Sequence, residues 1–158
     1  MAMGIKVGIT GHTYGFGKHL FKRCKELGYE VIGFSRSTGY DISTYPERIF
    51  TENFDVLINN AEVDDAQERI ALKAVARNIP CINIGSKITE AVVYSEPNIA
   101  KKKNKVALRD TCEDLGLIYL TWGFLEDHEL IQENPHLIET ITVDSAVNEV
   151  MNVLGTLS

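Results

Sequence analysis

The chain has 158 residues, 44% hydrophobic and 24% charged, enough for one domain with a proper core and too few for two ordinary ones. A net charge of −6 and an isoelectric point near 5.2 argue against a nucleic-acid surface, which needs a basic face; Lys101-Lys102-Lys103 is the only basic run and reads as a solvated helix end. Three cysteines without Cys-x-x-Cys spacing form neither a disulfide framework nor a zinc cluster, and no apolar run approaches the ~20 residues that cross a bilayer.

Residues 5–10 are a short apolar run, and from Phe16 the positions Leu20, Phe21, Cys24 and Leu27 recur at helical spacing until Gly28. This predicts strand, glycine turn, helix. Residues 30–35 read as a second strand that stops in the loop 35–39. A short helix is expected over 45–53 and a buried strand over 54–58. Asp64 or Asp65 can cap a helix carrying Ile70, Ala71, Ala74 and Val75, and Pro80 leads into a strand over 81–84. A loop then runs to about Pro97, a long helix covers 98–115, Gly116 closes it, and a strand covers 117–121. Trp122 begins a polar excursion to Pro135, after which Asp144 can cap a terminal helix built on Ala146, Val147, Val150, Met151 and Leu154. A sixth strand could form only at 42–45 or near 139–143.

Strands apolar on both sides and alternating with helices imply a parallel sheet covered on two faces. The fold expected is α/β: a single Rossmann-type, doubly wound parallel sheet in three layers, spanning 1–158.

The segment Thr10-Gly11-His12-Thr13-Tyr14-Gly15-Phe16-Gly17 carries the chemistry. Gly11 can take the turn off the strand, Gly15 lets backbone N–H groups approach a pyrophosphate, and Gly17 lets the helix pack close to the strand. The helix N-terminus then presents unpaired donors to an anion. The same pattern also closes strand–helix junctions that bind nothing, so a second motif must decide. Asn59-Asn60-Ala61, at the end of the strand over 54–58, is that motif. Together the two resemble the signatures of the short-chain dehydrogenases and reductases, in the right order along an abbreviated chain.

The resemblance implies a nicotinamide dinucleotide. Thr10 to Gly17 would surround the pyrophosphate, Asp41 and Ile42 the adenine, and Asn59, Asn60 and Ala61 the ribose, with Gly123 and Phe124 near the nicotinamide amide. Ser35, Arg36 and Ser37 stand where members preferring NAD(H) carry an acidic residue, and a guanidinium pairs well with a 2′-phosphate, so NADP(H) is preferred over NAD(H). Arg36 reads equally as a solvated loop arginine, and His12 as a residue facing solvent. Glu62 departs from the pattern, which has glycine there.

For hydride transfer the family supplies serine, tyrosine and lysine. Ser86 follows the strand 81–84, and Lys105 resembles the lysine that holds the nicotinamide ribose. The phenol should stand four residues earlier, where this chain has Lys101. Tyr94 is the nearest candidate: either the loop brings it to Lys101 or Lys105, or the catalytic set is broken. His128 and His136 have no metal-ligand spacing, and Glu126, Asp127 and Glu129 read as a solvated face or a lid.

The resemblance implies oxidoreduction of a small carbonyl or hydroxyl substrate. Its rivals are a catalytically inactive NADP(H)-binding module that regulates a partner, and a nucleotide-sugar enzyme with the same cradle. The expected setting is the cytoplasm, without nucleic-acid or membrane partners, and the family implies a homodimer through the helices over 98–115 and 144–154.

Overall fold

Because short runs apolar on both sides alternate with segments apolar at helical spacing, the chain can bury both patterns only by laying helices on both faces of a sheet. The computed structural model describes residues 4–122, 132–137 and 142–158. Its main elements are β1 (Lys6–Thr10), α1 (Gly15–Glu26), β2 (Glu30–Phe34), β3 (Val56–Asn59), α2 (Ala66–Ala76), β4 (Cys81–Ile84), α3 (Glu96–Leu115), β5 (Ile118–Leu120) and α4 (Val143–Leu157).

All strand pairs are parallel, in the order β2-β1-β3-β4-β5. Alternate residues of each strand feed opposite cores. Val7, Ile9, Val56, Ile58, Ile82 and Ile84 pack against Leu20 and Cys24 of α1 and against Val147, Val150 and Leu154 of α4. On the other face Phe34 and Leu57 pack against Ile70 and Ala74 of α2, and Ala71, Leu108 and Cys112 join α2 to α3. The three layers follow from this two-sided burial.

The chain moves from β1 outward to β2, then returns past β1 to β3, so strand order reverses between β1 and β3. Crevices at the carboxyl ends of strands on either side of such a switch point are where open α/β sheets hold ligands. The return contains no strand. Its 3₁₀ turn, Pro46–Thr51, buries Ile49 and Phe50 and, with Phe54, covers Phe34 of β2; the Phe34 and Phe54 rings are 5.6 Å apart.

Several boundaries differ from the sequence expectation. The helix expected over 45–53 is that 3₁₀ turn, because Pro46 starts it and too few residues remain for α-helical turns before β3. Residues 42–45 pair with no strand; Tyr45 N–H bonds back to Asp41 O at 3.2 Å as a turn. Among the described residues the sheet has five strands, and 139–141 lie outside them. Helix α3 starts at Glu96: Ser95 Oγ accepts from Asn98 N–H, and Pro97 occupies the first turn, where a missing N–H costs nothing. Thr142, rather than Asp144, caps α4, its hydroxyl accepting from Ser145 N–H at 3.1 Å. Among the described residues no helix is long and apolar enough to cross a membrane.

Candidate functional site

The glycine loop is built around one close approach. Gly11 takes φ +69° and donates its N–H to Phe34 O at 2.9 Å, tying the exit of β1 to the end of β2. Gly15 opens α1 at φ +59°. A Cβ on Gly17 would stand 1.9 Å from Gly11 O and 2.6 Å from Asn60 Nδ2, so only glycine lets the first turn of α1 sit on the loop. That turn contains no acidic residue, and Tyr14 at the N-cap makes no side-chain bond to it. Its N–H donors therefore face the turn without a capping carboxylate or hydroxyl, the arrangement an anion satisfies.

Next to the loop lies a cleft of about 480 Å³. It brings together Gly11, Thr13 and Tyr14 of the loop, Ser35, Arg36 and Ser37 after β2, Asp41 and Ile42 beyond them, and Ala61 after β3. Arg36 is 81% exposed, its Nε 3.8 Å from Asp41. The Ser43 hydroxyl, followed by Ser43 N–H and Arg36, holds the Asp41 carboxyl below its ordinary value. Ser35 and Ser37 share a hydroxyl hydrogen bond at 2.7 Å.

Other predicted residues stand behind the cleft. Thr10 is fully buried and its Oγ1 accepts from the N–H groups of Asn60 and Ala61 at 2.9 and 3.0 Å, locking β1 to the end of β3. Asn60 Nδ2 donates to Thr10 O at 3.2 Å, closing the same brace. Asn59 is fully buried. His12 turns away from the cleft against Phe21, with ring centroids 4.8 Å apart, and burial lowers its pKa, as does the charge of Lys25. Phe16 packs on Trp122 at 5.3 Å, on the α1 and α4 side. Gly123, Phe124, Glu126, Asp127, His128 and Glu129 lie outside the described residues.

At the carboxyl end of β4 a buried polar web joins five elements. Asn59 Nδ2 donates to Gln67 O and Asn83 Oδ1, at 2.8 and 2.9 Å. Gln67 Nε2 donates to Asn59 O and Ile84 O, and Asn83 Nδ2 reaches Ile118 O. Lys105 enters from α3, only 3% exposed, and donates to Gln67 Oε1 at 2.6 Å and Ile84 O at 3.1 Å. Burial pulls its pKa down to about 8; Glu62 opposes this and Lys101 adds to it.

The fold thus brings Lys105 to the strand end that leads to Ser86. Ser86 caps the 3₁₀ turn Lys87–Glu90, its Oγ accepting from Ile88 N–H at 3.2 Å. Tyr94 is 69% exposed in the loop beyond. Lys101, one helical turn before Lys105, pairs with Glu62 at 3.7 Å, and Lys105 lies 4.0 Å from the same carboxylate. Sequence reasoning missed Gln67 and Asn83. Their signal was a polar residue on an apolar helix face and another inside the strand 81–84. Among the described residues no group of three or more His, Cys, Asp or Glu is placed to hold a metal ion.

A parallel three-layer sheet with a glycine-bound helix N-terminus at its switch point defines a Rossmann-type protein. No protein-family model and no curated protein matches the chain. Solved structures do. A small-chain dehydrogenase is 18% identical, with 93% of this chain and 88% of that one covered at a TM-score of 0.68. A small-chain dehydrogenase in complex with NADPH is 19% identical, covering 90% and 77%, at 0.62. A protein described as an NADH-flavin reductase, from Streptococcus pneumoniae, is 13% identical, covering 98% and 95%, at 0.64. The chain therefore has the fold of the short-chain dehydrogenases and reductases.

Proposed function

We propose that residues 1–158 form one NAD(P)-binding domain, and that the chain is an NADP(H)-dependent oxidoreductase of the short-chain dehydrogenase type acting on a small carbonyl or hydroxyl substrate. The observation that carries the reading is the Gly17–Gly11 approach, which leaves uncapped helix donors over a cleft at the switch point. The fold shared with a dehydrogenase that holds NADPH supports it.

In this reading Gly11, Thr13, Gly15 and Gly17 grip the diphosphate, Asp41 and Ile42 border the adenine, and Asn60 and Ala61 the ribose. Ser35, Arg36 and Ser37 receive the 2′-phosphate. When bound, the nicotinamide supplies or accepts the hydride. Ser86 orients the substrate oxygen, Lys105 holds the ribose hydroxyls, and Tyr94 is the proton donor, carried by the loop that leads from β4 to α3. We read the protein as cytoplasmic and dimeric through α3 and α4.

Trp122 is the sole tryptophan, so its emission reports a titration directly. NADPH binds more tightly than NADH by about tenfold, the worth of one charge-assisted phosphate contact at an exposed arginine, and Arg36→Ala erases the difference. Equal affinity before mutation removes the NADP(H) assignment. Binding without oxidation of NADPH across a panel of aldehydes and ketones leaves a binding module in place of an enzyme.

A further inference from the structure

Glu62 stands immediately after Ala61, whose N–H is fixed by Thr10. Ala61 lines the nucleotide cleft and Val63 borders both it and a neighbouring one, which Glu62 lines with Pro97, Ala100, Lys101 and Asn104 of α3. From there the Glu62 carboxylate reaches α3. There it meets two cations one helical turn apart, Lys101 at 3.7 Å and Lys105 at 4.0 Å.

The Lys105 ammonium has three protons. Gln67 Oε1 and Ile84 O take two of them. The third is the only one left for a ligand, and the nearby carboxylate competes for it. In the nucleotide cleft the corresponding cation is Arg36, which is 81% exposed and can leave Asp41 without a desolvation cost. The cleft and the Lys105 end therefore differ: one is open, and the other is held by an internal anion.

We infer that Glu62 is a latch on the nicotinamide half of the groove, occupying Lys105 and Lys101 in the free protein and surrendering Lys105 only when a whole dinucleotide binds. This rests on the proposed dinucleotide reading and adds a regulation to it. The latch lowers affinity for NADPH and leaves affinity for an adenosine fragment untouched, because 2′,5′-ADP reaches only the open half.

Calorimetric titrations of NADPH and 2′,5′-ADP into the parent, Glu62→Gln and Glu62→Gly test it. Both variants tighten NADPH by about three- to tenfold, the range of two weak ion pairs to one half-buried carboxylate, and leave 2′,5′-ADP unchanged. Lys101→Met moves NADPH the other way, because Glu62 then closes on Lys105 alone. NADPH binding unchanged or weakened in both Glu62 variants, with 2′,5′-ADP still bound, overturns the latch and leaves the dinucleotide reading standing. Equal tightening of both ligands overturns it as well, since the effect is then general electrostatics. Failure of the parent to bind either ligand overturns the latch together with the reading beneath it.

Discussion

Replacing Gly17 with alanine tests the cradle at its tightest point. The added Cβ would lie 1.9 Å from Gly11 O, 2.8 Å from Gly11 C and 2.6 Å from Asn60 Nδ2, whereas real Cβ atoms stay beyond 3.0 Å. Two of the three obstacles are backbone, and Gly11 is tethered through its N–H to Phe34 O. The loop and α1 must therefore separate by roughly 1 Å, and the upper end of overpacking costs, about 3 kcal/mol, applies. For a chain of this size that lowers the melting temperature by about 6–12 °C. Gly15→Ala is the control. Its φ is +59° but nothing lies within 4 Å of the new methyl, so only the left-handed backbone penalty of about 1 kcal/mol is incurred, or about 2–4 °C. Differential scanning fluorimetry ranks the three proteins, and NADPH titration follows the same order for the loss of binding. A Gly17→Ala protein that melts no lower than Gly15→Ala refutes the close approach and the anion site built on it.

Two further perturbations address the groups behind the cleft. Lys105 has a pKa near 8 against 10.5 for an ordinary lysine, so between those values the unfolded chain holds a proton that the folded chain has shed. Stability due to this residue therefore rises with pH across that window, by about 3 kcal/mol in all, and the full penalty is present below pH 8. Thermal melts of the parent and Lys105→Met from pH 7 to 10 detect this as a parent that gains on the variant; a constant difference contradicts it. Thr10→Val strands the N–H groups of Asn60 and Ala61 and costs about 2–4 kcal/mol, whereas Thr10→Ser keeps the acceptor. Chemical denaturation in which valine and serine variants unfold together removes the brace.

Much of the fold was legible because it rests on local patterns. The run 5–10 followed by three glycines and a helical period is readable as strand, turn and helix without any partner, and the doubly apolar strands already imply two covering layers. Boundaries that depend on competition were less legible. Pro97 looks like a helix breaker until Ser95 is seen to cap the turn that contains it, and residues 42–45 look like a short strand until Asp41 O claims Tyr45 N–H.

The site divides in the same way. Gly11, Ser35, Arg36 and Asp41 lie within about thirty residues of sequence, the resemblance groups them, and the cleft gathers them. Thr10, Asn59 and His12 belong to the same motifs but turn inward, because the burial of a side chain is set by which elements close over it.

Residue type and spacing along single stretches of chain were enough for the parallel α/β order and the glycine turn, whereas a lysine standing at position 101 where a phenol is expected was legible only through the family resemblance. Only the tertiary structure decided that Gln67, Asn83 and Lys105 share one buried web and that Glu62 meets two lysines. Those contacts join residues as many as 43 positions apart, and they form only when α2 and α3 pack on the same face of the sheet.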